Sequence, residues 1–277
     1  MTASTLPEVH EGDAPPEVAA IYAGLREAVG IPTVNLIWRH FATLPGVLPW
    51  AWEATRGVIA SATVRDGAER MAAGVRRRAG LGLAAIAPAL RALPVEDLAG
   101  LARVVDVYNR GNSVNLQVLS AVGRCIADGS AAAAPSTPEF GRLPPVAESI
   151  PPLPRMDALP EAVRAEVFAF ARWHDPSGSA VPSLYRHLAL WPSVLAPLRG
   201  ALAPRFADGS IASLRGALLG VAEESAEALL PRLAPPGPFP PEHRDAVLRV
   251  LGLFPGKLIA EMAAVGLMLE AALHRGG

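Results

Sequence analysis

The sequence predicts an all-α protein built from two pseudo-symmetric helical repeats of about 130 residues. Three observations carry that prediction. Of the 277 residues 51% are apolar but only 5% aromatic, with Ala and Leu dominating. That profile suits helices packed on helices rather than a sheet of alternating β-branched residues. Apolar residues also recur at helical spacing along much of the chain. Finally, the stretch IPTVNLIWRHFATLPGVLPWAW at 31–52 returns in shortened form as VPSLYRHLALWPSVLAPL at 181–198. Arg39-His40 and Arg186-His187, Pro45 and Pro192, and Leu6-Pro7 and Leu153-Pro154 all stand 147 positions apart. A repeat of domain size indicates two fused homologous halves, not a solenoid.

The first helix follows Pro15-Pro16, because proline is tolerated in a first turn and Val18, Ile21, Tyr22 and Leu25 fall at helical spacing. Gly30 and Pro32 end it. A second helix runs through Trp38 to Leu44, is broken at Pro45-Gly46, and resumes from Leu48 toward Ala60. The next carries the basic cluster Arg76, Arg77 and Arg78, which reads as a solvated face. Pro94 begins a longer segment reaching residue 128, with Glu96 and Asp97 in the first turn where they complement the helix dipole. Gly111 offers a break that would make this a helix pair. ARVVDVY, ending at Tyr108, matches LRVLGLF, ending at Phe254, at an offset of 146, a second and independent sign of duplication. Residues 129–154 are so rich in proline and alanine that they read as an extended connection across the outside of the molecule. A second proline cluster near 233–243 reads as a loop before the second copy of the Pro94 helix. The expected organisation is therefore repeat 1 at 1–128, the connection at 129–154, and repeat 2 at 155–277.

Composition excludes several classes of function. With 25 basic and 26 acidic residues and a net charge of −1, no electrostatic footprint for nucleic acid is present. No run of 18 apolar residues lacks a charge or proline. The nearest, 258–273, carries Glu261 and Glu270 and reads as a buried core helix, so no membrane partner is expected. The N-terminal residues lack a basic region followed by an apolar one, as a signal peptide would have. A single cysteine, Cys125, rules out an internal disulfide and fits a reducing cytoplasm, with the thiol itself read as a small buried apolar group. No GxGxxG, phosphate loop, HExxH, GxSxG or CxxC occurs, so no cofactor and no metal are expected.

The densest polar stretch is VYNRGNSVNLQ. On a helix, Tyr108, Asn112 and Asn115 share one stripe with Asn109 beside it. Either these are neutral donors for a carboxylate or a leaving anion, or Gly111 marks a capped break whose asparagines satisfy loop backbone. Arg39 and Arg186 suit carboxylate recognition, but their recurrence in both halves argues for capping or pairing. His40 and His187 recur likewise. The five tryptophans, Trp38, Trp50, Trp52, Trp173 and Trp191, read as core. His174-Asp175 reads as a loop turn at Asp175-Pro176.

Taken together, the ATLPGVLPWAW run, the YNRGN segment, the proline-rich connection and the second copy with LALWPSVL resemble the group I 2-haloacid dehalogenases of the DehI type. The resemblance implies an all-helical protein with two pseudo-repeats facing a central pocket. It also implies hydrolysis of D- and L-2-haloacids without metal or cofactor, by direct attack of an activated water and with inversion. The implied partner is a small carboxylate, and the implied assembly a homodimer. By position, Asn112 falls on the asparagine that holds water and substrate, Asn115 on a pocket tyrosine, and Thr33 and Leu36 on aromatic pocket residues. Thr33, Asn35 and Leu36 are then the pocket-facing positions of the first motif. Ser183 matches the serine preceding the catalytic aspartate, and the aspartate's own place is taken by Leu184. Leucine cannot remove a proton from water. His187, three positions on, is the alternative base. Two functions follow: a hydrolytic dehalogenase or related hydrolase on a small carboxylate, or a non-catalytic acid-binding or interaction protein that has lost the activity. A third, a decarboxylase- or peroxidase-like helical protein, would require a reactive Cys125 in the pocket.

Overall fold

The computed structural model describes residues 6–78, 83–129, 141–176 and 181–276, and every regular element among them is helical. Residues 130–140 of the expected connection and 177–180 before the second motif lie outside the described residues. Helix α1 (Pro16–Val29) begins at the proline and ends at Gly30, whose φ of 71° is left-handed and therefore natural to glycine. A Cβ on Gly30 would sit 2.7 Å from the carbonyl oxygens of both Leu143 and Pro144. The same glycine thus stops the helix and admits a second stretch of backbone against it.

Short α2 (Leu36–Phe41) and α3 (Val47–Thr55) flank the break at Pro45-Gly46. Helix α3 stops at Thr55, short of the expected Ala60. The Thr55 hydroxyl donates back to the Ala51 carbonyl at 2.7 Å and the chain turns at 56–60. Ser61 caps α4 (Ala62–Arg77) through the Val64 N–H. Helix α5 (Ala87–Arg91) leads to α6 (Val95–Asp128), the axis of the molecule. At 1.5 Å per residue its 34 residues span about 50 Å.

Gly111 does not break α6, so the expected helix pair is one helix. An interior glycine costs only about 1 kcal/mol in a helix that tertiary packing holds, and α6 packs on α4 and on the later helices Ser210–Leu229, Arg244–Leu253 and Ala260–Gly276. Glycine is required there for a different reason. A Cβ at 111 would lie 2.8 Å from Asn35 Nδ2 and 2.9 Å from its Oδ1, so the Asn35 carboxamide rests directly on the helix backbone. The same device recurs along the rod. Gln117 sits against Gly67 of α4 and Asn109 against Gly266, where added Cβ atoms would approach the amide oxygens to 1.9 and 2.1 Å.

After the described part of the connection come α7 (Glu161–His174), α8 (Ser183–Leu188), α9 (Pro192–Ala207) and α10 (Ser210–Leu229). The two copies of the repeated motif each open on a six-residue helix, α2 and α8, and run on into α3 and α9. The proline cluster is a loop, as expected, followed by α11 (Arg244–Leu253), a π-helix (Phe254–Ile259) and α12 (Ala260–Gly276). Among the described residues one helical stretch, Pro241–His274, is long and apolar enough to cross a membrane, and 72% of its most apolar window is buried in the protein. The buried apolar side chains of all the long helices form one continuous core that draws on both halves of the sequence.

Residues 141–154 do more than connect. Leu143 N–H donates to Ala28 O, Val146 N–H to Gly30 O, and Arg110 reaches Pro144 O, so this strap is fastened along α1 and α6. Arg186 donates to Pro154 O at 2.8 Å and fixes its far end.

Candidate functional site

A cavity of about 440 Å³ lies where α2, α6, α8, the π-helix, α12 and the strap meet. Thr33, Asn35, Leu36, Asn112, Asn115, Ser183, Leu184 and His187, the eight positions singled out in the sequence, all line it. The strap adds residues 148–153, where proline content predicts only an extended connection across the outside of the molecule. None of the five tryptophans lines it, and neither Cys125, Asp175 nor His40 does. Among the described residues no three His, Cys, Asp or Glu side chains converge as a metal site would require.

The polar wall is the stripe of α6. Tyr108, Asn112 and Asn115 stand at i, i+4 and i+7 and all face the cavity. Asn115 is 1% exposed, and its Oδ1 accepts the Trp38 indole N–H at 2.8 Å. Indole nitrogen can only donate, so the atom facing it must be the amide oxygen, and the NH₂ is turned the other way. That Nδ2 is buried without a partner, and so is Nδ2 of Asn112, which is 7% exposed. Two carboxamide donors one helical turn apart therefore stand unfilled in one cavity. Buried donors are nearly always satisfied, so this pair calls for a ligand or water.

The second polar feature is a chain of hydrogen bonds. His187 Nε2 lies 2.8 Å from Pro151 O, and a carbonyl only accepts, so Nε2 carries the proton. Nδ1 then accepts from the Tyr108 hydroxyl at 2.7 Å. Ser183 hydrogen-bonds the Tyr108 oxygen in turn. Burial pushes the His187 pKa down, with the Pro151 carbonyl opposing and the Arg186 charge assisting, so the ring is neutral near pH 7. Burial likewise pushes the Tyr108 hydroxyl well above its usual range, against the pull of Arg39 and Arg186. Both His187 nitrogens are thus occupied. The sequence could single out Tyr108 by its stripe but not its bond to a histidine 79 residues away.

The opposite wall is apolar. Leu184 is 1% exposed, and Phe254, Leu258, Ile259 and Met262 from the π-helix and α12 carry no polar side chain. The charges on the lining are few. Arg39 pairs with Glu8 at 2.6 Å and donates to Val34 O, the pairing role expected of it. Glu11 accepts from Val34 N–H and from Arg26. Glu148 is exposed at the rim.

His174, expected in a bland turn, is instead buried at the end of α7. Its Nδ1 lies 2.8 Å from Glu261 Oε2 and its Nε2 2.8 Å from the Tyr185 hydroxyl. Glu261 also accepts from Arg215 and Lys257. Burial would raise the Glu261 pKa, but the hydrogen bonds and charges of His174 and Lys257 outweigh it and leave it below its usual value. This cluster lies outside the cavity lining and ties the start of α12 to α7, α8 and α10.

No family model matches the chain, and no curated protein matches it in sequence. Its fold is nonetheless that of three solved structures. One is a D-2-haloacid dehalogenase mutant in complex with D-2-CPA, with a TM-score of 0.75 and 19% identity, covering 100% of this chain and 98% of that one. Another is a D-2-haloacid dehalogenase mutant at TM-score 0.78 and 19% identity, covering 99% and 97%. The third, a D-2-haloacid dehalogenase with L-LA, has a TM-score of 0.76 and 18% identity, covering 100% and 98%.

Proposed function

We propose that this protein, on a scaffold shared with 2-haloacid dehalogenases, binds a small carboxylic acid in the central cavity. The carrying observation is the pair of unpartnered, buried Nδ2 groups of Asn112 and Asn115. A carboxylate offers about four acceptor sites and can receive both amides at once, and bonds to a charged acceptor are roughly twice as strong as neutral ones. The dehalogenases of this fold act on 2-haloacids by name, which makes a carboxylic acid the natural first probe. The lone buried Cys125 fits action in a reducing cytoplasm.

Binding is favoured over turnover because the bases on the lining are engaged or lie at its edge: both His187 nitrogens are hydrogen-bonded, Glu11 is held by Arg26 and the Val34 N–H, and Glu148 is exposed at the rim. Attack of water on a halogen-bearing carbon requires proton removal, and Leu184 cannot supply it. A second reading keeps hydrolysis. The Ser183, Tyr108 and His187 chain would carry a proton from water to Nδ1, at the expense of charging an imidazole that burial holds neutral. Halide release from both enantiomers of 2-chloropropionate, alongside calorimetric binding, tests the pair of readings. Binding without halide release by the wild type, with release by Leu184→Asp, supports the acid-binding protein. Wild-type turnover that survives His187→Ala sinks the relay, and absence of binding by any acid sinks the site.

A further inference from the structure

We infer that the acid held here carries a long apolar tail and a single carboxylate, an inference that rests on the carboxylate-binding reading of Asn112 and Asn115. Volume comes first. The cavity of about 440 Å³ equals roughly fifteen water volumes at about 30 Å³ each. A three-carbon halo-acid has six non-hydrogen atoms and, even at a full water share per atom, fills less than half of it. Its size falls within the roughly 300–1,000 Å³ of pockets that bury drug-sized ligands. Lining comes second. Phe254, Leu258, Ile259, Met262 and Leu184 offer no side-chain hydrogen bond, so water left against them is poorly held while a hydrocarbon is not. This wall is also braced from behind. Lys257, within the π-helix, donates to Glu261 at 2.9 Å and to the His174 carbonyl, so the apolar surface does not readily collapse into the empty volume. Charge comes third. Arg39, the one arginine on the lining, is already paired with Glu8, while Glu11 and Glu148 are acidic, so a second carboxylate would meet either hydrocarbon or like charge.

A calorimetric series of straight-chain acids from propanoate to decanoate, with nonanedioate and decan-1-ol beside them, tests this. Affinity is expected to rise about fourfold per methylene while the tail is being buried. Decanoate should exceed nonanedioate by at least tenfold. Leu258→Trp, which fills the apolar wall, should flatten the dependence on length, and Asn112→Leu should weaken every acid while keeping the slope. Should the tryptophan variant fail to fold, the slope in the wild type alone decides. Equal affinity from propanoate to decanoate overturns the tail and leaves the carboxylate site standing. Decan-1-ol binding as tightly as decanoate overturns the carboxylate reading and leaves the apolar wall. If no member of the series binds, both fall.

Discussion

Asn112→Leu should make the empty protein more stable while weakening its ligand response. Leucine nearly matches asparagine in shape, and the variant deletes a buried Nδ2 that has no protein partner. An unsatisfied buried donor costs about 1–3 kcal/mol, with water in the cavity setting the lower end of that range. The expected gain is therefore about 1–2 kcal/mol, which for a chain of this size raises Tm by roughly 2–4 °C. Asn115→Leu provides the internal comparison. It removes the same kind of orphan but also takes the acceptor from the Trp38 indole, whose N–H is then stranded in a side chain 2% exposed. Gain and loss nearly cancel, and the difference between the two variants, about 1–3 kcal/mol, measures the Trp38–Asn115 bond. Thermal melts with and without a fixed concentration of decanoate provide the readout: the wild type should shift upward with ligand, and Asn112→Leu should shift less at the same concentration. A folded Asn112→Leu that melts several degrees lower, yet shifts with ligand as far as the wild type, would show that Asn112 serves the scaffold and not the site.

Glu261→Gln should cost about 3 kcal/mol at pH 7, because it strips a buried carboxylate from Arg215, Lys257 and His174. The folded pKa of Glu261 is depressed, so its contribution is complete above the unfolded value of about 4.3 and is lost as pH falls through the folded one. Urea melts should show the gap between wild type and variant narrowing below about pH 5; a gap that stays constant to pH 3 contradicts the assignment. Gly67→Ala should destabilise by about 1–2 kcal/mol, because its Cβ must displace a Gln117 held by Val64 O and Ser113 O. Gly216→Ala, with nothing within 4 Å, should stabilise α10 by about 0.5–1 kcal/mol in the same chemical melts. Cys125, buried on α6 with its thiol pushed up by burial and then by Asp128, should react with iodoacetamide far more slowly in native buffer than in urea. Rapid native labelling would reopen a thiol-based chemistry.

Much of the frame was legible because proline, glycine and capping signals act locally. Pro16 and Pro94 mark helix starts, and Glu96 and Asp97 fall in the first turn of α6 as predicted. The cavity positions were legible through the stripe on α6 and through the echo that brought Leu36 and Ser183 to the same place on two short helices. Gly111 misled because lack of a Cβ serves two ends, a chain break and a close approach, and only the tertiary position of Asn35 tells them apart. The His174–Glu261 pair spans 87 residues and leaves no local pattern, so a buried charge cluster looked like a turn. The strap was read as a mere connection because proline content predicts extension but not what the extended chain covers.

The polar half of the site is written on one unbroken rod. Tyr108, Asn112 and Asn115 reach the cavity only because each step along α6 turns about 100°, so their aim depends on the count of residues and not on convergent loops. A one-residue insertion between Pro94 and Tyr108 would leave composition and helicity intact yet swing all three side chains into the core. Such a site can change its ligand by point substitution along the stripe or on the facing wall, but it has almost no freedom to do so by changes of length. Searches for proteins of related function should therefore hold the spacing of this stripe fixed and let the identity of its residues vary.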